Sequence, residues 1–397
     1  MLPLTGVRVL DLGRYIAAPY CGMVLADLGA EVIRVERPRG EEDRYLGLRA
    51  VNGETYTFAS LSRGKKAITL DLRQVERARP VLRDLVARTD VFVHNFGPGA
   101  AAALGLGLDD IRSIAPAVVY VGISFAGSDG PHANRTGFDM MAQMGSGAAA
   151  LTGLDGEPPL RTGVPWVDYS TGLSAVVGVL AALRQRDATG EGQVVDCALL
   201  QTALSFTAPI IDEAVAGGRE RPRLGNQTVY TGPSNLYRCR DGHVYLAAVT
   251  SSSWRALAAA IEHPELAREP ALGSAELRYE RRADIDPLIE AWTSVRTVDE
   301  TLAALEAAQV PCGRYRTTAN AGDDAQVRAR EMLGSVDLGA PGFERVPASR
   351  TPVRLGGQGA SPPARPPGVG EHNEEIYRGL LGYDEARVAA LRASGLI

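Results

Sequence analysis

The chain has 397 residues, enough at about 150 residues per domain for two or three units with a sizeable core. Its 42 Lys+Arg against 47 Asp+Glu give a formal net charge of -5, which argues against the clustered positive surface that general nucleic-acid binding requires. Only Lys65 and Lys66 are lysines, so lysine-based covalent chemistry has two adjacent candidates, and Gly64-Lys65-Lys66 lacks the spacing and the hydroxyl residue of a phosphate-binding P-loop.

In chain order, residues 7–12 read as a buried strand, 13–18 as a loop, 19–28 as a helix with Pro19 in its first turn and Gly29 as its stop, and 31–36 as a second strand. Strand, helix, strand implies a right-handed parallel crossover and an open α/β sheet. Further strands are expected at 67–72, 91–94 and 118–123, with an amphipathic helix over 77–87. Helices are expected over 169–185 and over 194–208, the latter starting near Asp196. Residues 217–231 are rich in Gly, Arg and Pro and read as a linker, and Asp241-Gly242 marks a hairpin turn. Helical stretches at 254–261, 285–292 and 298–307 place a smaller α+β domain after the linker. Residues 339–367 read as extended and 374–394 as helical. The expected division is 1–215 for a large Rossmann-like part, 216–234 for a linker, 235–325 for a small α+β domain, and 326–397 for a return to the large domain.

Cys21, Cys197, Cys239 and Cys312 are far apart and form no Cys-x-x-Cys pair, so neither a disulfide framework nor a zinc site is signalled. The first residues carry no basic segment followed by an apolar one. No apolar run is expected to approach the ~20 residues of a membrane helix. These features fit a soluble, cytoplasmic protein with no membrane or nucleic-acid partner.

Two loops at strand ends are candidate ligand sites. The first, 13–18, lies between a strand and a helix N-terminus, where free N–H groups favour an anion; an ordinary βα loop reads the same way. The second, His94-Asn95-Phe96-Gly97-Pro98-Gly99, offers an aromatic face and close backbone approach, as does a tight structural turn. Among the carboxylates, Asp139 and Asp168 stand beside aromatic and small residues, surroundings that desolvate a carboxylate and alter its basicity. Asp168 also has the position of a helix N-cap, and spacing does not decide between the two. The five histidines are dispersed with no ligand pair at helical spacing, so no metal site is indicated, and no Gly-x-Ser-x-Gly nucleophile motif occurs.

The ordered run GVRVLDLGRYIAAPYCGMVLADLGAEVIRVERPRG, SRGKKAITLDL, NFGPG, GFDMMAQMGSGAAALTG, VPWVDYSTG and GEGQVVDCALLQTAL, continuing to VPCGRYRT and PPGVGEHNEEI, resembles the class III CoA-transferases. That family includes formyl-CoA transferase, carnitine CoA-transferase and α-methylacyl-CoA racemase. The resemblance implies a Rossmann-like large domain built from both chain ends, a smaller α+β domain, and an interlocked homodimer. It also implies that coenzyme A or acyl-CoA is bound as substrate with a carboxylic acid as the second reactant, and that no cofactor is tightly held. Asp168 matches the catalytic nucleophile. Implied CoA contacts fall on Arg14, Ile16 and Ala17, on Arg37, on Leu70 and Arg73, on Asn95, Phe96 and Gly97, and on Arg135, Thr136, Phe138 and Asp139. Lys65 and Lys66, with Arg37, are expected to support the CoA phosphates.

The implied reaction runs through an aspartyl mixed anhydride and an aspartyl-CoA thioester, with backbone N–H groups of the first loop or of 145–147 at the oxyanion. Where racemases of the family resemble Gly-His-Asp, this chain has Gly137-Phe138-Asp139, and phenylalanine moves no proton. Ala103 and Thr136 stand where relatives carry basic residues, and the glycine-rich loop of formyl-CoA transferase is not evident. The alternatives are an acyl-CoA racemase or isomerase, and a non-catalytic acyl-CoA-binding paralogue.

Overall fold

Short β-branched runs alternate with helices through the first half of the chain, and the computed structural model, which describes residues 2–50, 53–338, 345–356 and 364–397, folds them into a parallel sheet. In order these are β1 (Arg8–Asp11), α1 (Ala17–Asp27), β2 (Glu31–Glu36), α2 (Tyr56–Ser62), β3 (Lys66–Thr69), α3 (Val75–Val86), β4 (Val91–His94), α4 (Ala100–Ala103), α5 (Leu108–Ile114), β5 (Val119–Ser124), α6 (Asp139–Gly145), α7 (Trp166–Thr189), β6 (Val194–Ala198) and α8 (Leu199–Val215). All six strands run parallel in the order β3-β2-β1-β4-β5-β6. This is the doubly wound arrangement of Rossmann-like folds, whose order reverses between β1 and β4 and leaves a crevice at the strand C-termini. Val9, Leu10, Val91, Phe92 and Val93 are wholly buried, as expected of central strands covered on both faces.

Three boundaries differ from the sequence reading. Helix α1 opens at Ala17, so Pro19 is its third residue. Helix α7 opens at Trp166 and places Asp168 inside the first turn rather than at the cap. The stretch expected as one helix over 194–208 is instead a strand followed directly by a helix. No glycine or proline separates Ala198 from Leu199, so the apolar run carried no visible break. Helix α7 is also 24 residues long and apolar enough by length and composition to cross a membrane, contrary to the expectation of no such run. Its buried positions Val167, Thr171, Ala175, Val179 and Ala182 recur every three or four residues, the single stripe of a core helix.

The chain divides into two compact units. Met1–Ser146, Thr162–Ala208 and Ala325–Ile397 form the first, and Gly147–Arg161 with Pro209–Asp324 the second. Residues 147–161 and 209–234 thus group with the second unit, outside the bounds expected for a small domain. That unit holds β7 (Ser234–Cys239), β8 (Gly242–Ala247), α9 (Ser251–Ala260), α10 (Ala275–Glu280), α11 (Arg282–Ser294), α12 (Val298–Ala307) and β9 (Cys312–Arg314). Its three antiparallel strands pack Tyr237, Val244 and Leu246 against Trp254, Leu257, Ile289 and Leu305 in a core of their own.

The chain then returns to the first unit with α13 (Ala325–Ala329), the antiparallel pair β10 (Leu333–Val336) and β11 (Val346–Ser349), and α14 (Glu385–Ala393). Of the segment expected as extended, 339–344 and 357–363 lie outside the described residues. Ile376, Tyr377, Val388 and Leu396 fill the core on the sheet face covered by α3. Thr69 N–H donates to Asn373 Oδ1 at 2.9 Å, and Tyr377 OH donates to Thr69 O at 2.6 Å. The C-terminal segment therefore closes the edge strand β3, whose free backbone groups would otherwise invite pairing.

Candidate active site

The loop between β1 and α1 is held from below by buried charges. Asp11, the last residue of β1, accepts from Gly13 N at 2.8 Å and from Lys65 Nζ at 2.8 Å, and both side chains of that ion pair are fully buried. A Cβ on Gly13 would lie 2.5 Å from Ala18 Cβ, so only glycine fits there. Tyr15 follows with φ 66°, a left-handed conformation costing a non-glycine residue roughly 1–2 kcal/mol. Its N–H donates to Asp43 Oδ2 at 3.2 Å, and Asp43 is gripped by the fully buried Arg34 at 2.7 Å. Asn95, at the end of β4, clasps the same loop from the side: Arg14 N donates to Asn95 Oδ1 at 2.9 Å and Asn95 Nδ2 donates to Arg14 O at 2.8 Å. The outcome is a rigid α1 N-terminus. No described backbone or side-chain acceptor takes the amides of Ile16, Ala17 or Ala18, so they remain open to a ligand.

Helix α7 comes close to α1 at Gly172, where an added Cβ would stand 2.6 Å from Ala17 O. One turn earlier is Asp168. Its half-buried carboxylate accepts no hydrogen bond among the described residues, and burial together with the charge on Asp139 pushes its carboxyl up to about 7. Asp168 lines a cleft together with Tyr15, Ile16 and Ala17, Asn95 to Pro98, and Arg135 to Phe138. The predicted residues Ile16, Ala17, Asn95, Phe96, Gly97, Arg135, Thr136, Phe138 and Asp168 are thus brought together from four separate segments of the chain. Gly172→Ala is expected to force the helices apart, lowering stability by about 1–3 kcal/mol and reducing turnover; thermal melts and steady-state rates check this.

A second cleft adjoins the first through Phe96 and is lined by Arg14, Arg37, Leu70 and Arg73, along with Glu41, Leu12 and Val35. Arg14 lies 5.8 Å from the Phe96 ring, and both Arg14 and Arg37 pair with the buried Glu41, at 3.0 and 2.9 Å. Glu41, one carboxylate among 47, carries no mark in the sequence that sets it apart. Three arginines beside apolar walls suit an anion attached to a flat ring.

Three predicted contacts do not belong here. Lys65 is enclosed between Asp11 and Pro19 O, and burial pulls its ammonium below the ordinary lysine value even against the pull of Asp11, so it reaches no phosphate. Lys66 begins β3, bridging Glu31 and Glu375 at 2.6 Å each. Ligands of a parallel sheet bind at the strand C-termini, and Lys66 stands at the opposite end. Asp139 is buried beneath the cleft, its carboxylate taken up by backbone amides of α7. Gly145 ends α6, and residues 145–147 do not line the cleft, whereas Ile16 and Ala17 at the start of α1 do. His94 is equally internal: its Nδ1 accepts from Phe96 N, its Nε2 lies 2.8 Å from Tyr120 OH, and burial lowers its value to about 4. Among the described residues no group of three or more His, Cys, Asp or Glu is placed to hold a metal ion.

A doubly wound sheet with an open helix N-terminus and a partnerless carboxylate at its switch point defines an α/β enzyme domain built for an anionic ligand. Residues 4–373 match the profile of CoA-transferase family III, and the chain belongs to that family. It is 35% identical to succinyl-CoA–D-citramalate CoA-transferase of Chloroflexus aurantiacus, covering 100% of this chain and 98% of that one. It is 34% identical to formyl-CoA:oxalate CoA-transferase of Streptomyces avermitilis, covering 99% of each. Among solved structures it matches a CAIB/BAIF family protein from Brucella suis with a TM-score of 0.85 and 33% identity, over 96% of this chain and 99% of that one. The protein is a CoA-transferase enzyme.

Proposed function

We propose that this enzyme moves CoA between carboxylic acids by way of Asp168, with a dicarboxylic acid as acceptor. The supporting observation is the Asp168 carboxylate itself, free of hydrogen-bond partners among the described residues and sharing a cleft with the open amides of α1. The carboxylate attacks the thioester carbonyl; the C–S bond breaks, CoA leaves as thiolate, and a mixed anhydride forms. The thiolate then attacks the aspartyl carbonyl, expelling the donor acid and leaving an aspartyl-CoA thioester. An acceptor carboxylate attacks that carbonyl, releases the thiolate and forms a second anhydride. Attack of the thiolate on the acceptor acyl group yields the new acyl-CoA and restores Asp168. The amides of Ile16 and Ala17 would meet each oxyanion.

Citramalate and oxalate, named in the relatives, are dicarboxylates, and Arg135 places an exposed cation in the same cleft as Asp168. In the same reading, two copies interlock as a homodimer in the cytoplasm. Leu173, Val177 and Leu180 support the pairing as an exposed apolar row on α7, and the four free cysteines fit a reducing compartment. Incubation of succinyl-CoA with a panel of mono- and dicarboxylates tests the substrate class, with hydroxylamine expected to convert the activated Asp168 carbonyl to a hydroxamate and borohydride to reduce it to the alcohol, CoA being released in each case. Because only the ionised carboxylate attacks, turnover is expected to rise with pH and level off above about 7. A rate already flat from pH 5 would separate this carboxyl from the chemistry.

A further inference from the structure

Asp139 sits directly behind Asp168, yet its carboxylate does not open into the cleft. It is 4% exposed. Its Oδ2 accepts from Val167 N at 2.8 Å and from Asp168 N at 3.2 Å, and its Oδ1 accepts from Gln143 Nε2 at 2.5 Å. Gln143, 1% exposed, accepts through Oε1 from Thr162 N at 2.9 Å and from Thr162 Oγ1 at 3.2 Å. Helix α7 has Pro165 at its N-cap position, a residue without a side-chain acceptor. A carboxylate from α6 therefore caps α7 from outside its own chain segment.

This arrangement matters because Asp168 is the third residue of α7. An aspartate there would ordinarily be stabilised by the unsatisfied first-turn amides and by the helix dipole, which lowers both its basicity and its nucleophilicity. Here those amides are already taken, and the group that takes them is itself an anion. We propose, building on the transferase reading, that Asp139 is a positioning residue that keeps Asp168 nucleophilic by occupying the α7 amides and holding a second negative charge beside it. Gln143 and Thr162 fix the carboxylate in that pose.

The charged and titratable groups facing Asp168 are few. Asp139 comes from α6, Tyr15 from the β1–α1 loop, Arg135 from the segment before α6, and Tyr169 from α7 itself. Tyr20 of α1 packs edge-on against Tyr169 at 4.9 Å, while the β4 and β5 loops and the start of α8 present no ionisable side chain to the cleft. Burial contributes most to the raised value of Asp168, and Asp139 is the neighbour that adds to it.

Asp139→Asn retains an acceptor oxygen for the α7 amides and removes the charge; Asp139→Ala removes both. The titration of Asp168 is followed in the substrate-free protein by ¹³C-carboxylate NMR, with its signal assigned by its loss in Asp168→Asn. The expected result is about a tenfold lower proton affinity of Asp168 in Asp139→Asn, with the acidic limb of kcat moving to lower pH by the same amount and KM for CoA thioesters unchanged. An unmoved Asp168 titration in Asp139→Asn overturns the proposal. A large rise in KM with the titration unmoved also overturns it, and makes Asp139 a ligand contact. If Asp139→Ala does not fold, the near-isosteric Asn variant still decides the matter. Because the titration needs no substrate, it gives its answer even if the transferase reading of Asp168 fails, and that failure would show separately as retained turnover in Asp168→Asn.

Discussion

Replacing Asp168 by Asn or Ala is expected to reduce CoA transfer by about 10⁴-fold or more while the protein stays folded. That is the scale seen when an enzyme's nucleophile is deleted. No other residue of the cleft is equipped to replace it. The hydroxyl of Ser124 accepts from Gly127 N, and Tyr15 OH is engaged by Glu42 at 3.4 Å. Among the described residues no histidine lines the cleft, and once Asp168 is replaced no carboxylate lines it either. A variant retaining more than about 1% of the wild-type rate would place the nucleophile elsewhere.

The same substitution has an opposite consequence for stability. The Asp168 carboxyl titrates near 7 in the folded chain against about 3.9 when free, so between those values the folded state binds more protons than the unfolded one. Stability contributed by the protonated form is complete below about pH 4, falls as pH rises through this window, and is absent above about 7. Asp168→Asn, which is neutral throughout, should therefore melt at a higher temperature than the wild type at pH 8, and the gap should close towards pH 4. A dead enzyme more stable than its parent is the signature of a site that holds a charge against its preference.

How much of this was legible depended on the distance over which each relation acts. The β1–α1–β2 unit was readable because a buried run, a proline-bearing helix and a second buried run lie within 30 residues, and short-range periodicity suffices. Strand β6 was not, because Val194-Val195 passes into α8 with nothing in the sequence to divide them, and only pairing with β5 makes it a strand. Asp168 could be singled out by its apolar neighbours, but local pattern left nucleophile and cap level; the resemblance to the family favoured the nucleophile, and the structure puts Asp168 past the cap position. The cap itself turned out to be Asp139, whose partners Val167 and Asp168 are 28 and 29 positions away. Glu41 was hidden in part for the same reason: Arg37 stands only four positions away, but Arg14, 27 positions off, reaches it through the pairing of β1 with β2. Asp139, Asn95 and Lys65 were each legible as candidates, but as ligand contacts; that they hold neighbouring segments in place appears only in the folded chain.

Lys65→Met is expected to destabilise the protein by about 3–5 kcal/mol, the cost of leaving one partner of a buried ion pair alone. Lys66→Ala should change stability by less than about 1 kcal/mol, since its pairs with Glu31 and Glu375 are solvated. Adjacent residues of one type thus separate sharply. The ammonium of Lys65 has no exposed surface and bonds to Asp11 Oδ2 and Pro19 O, both at 2.8 Å. Its loss leaves the Asp11 carboxylate charged in the core at the root of the ligand loop, where Asp11 also receives Gly13 N. Adding Asp11→Asn to Lys65→Met removes that orphaned charge and should recover part of the loss, so the two effects are not additive. Denaturant melts of the four proteins measure this cycle. If Lys65→Met instead melts like the wild type and raises only KM for acyl-CoA, then the ammonium reaches the ligand, as the sequence alone led one to expect.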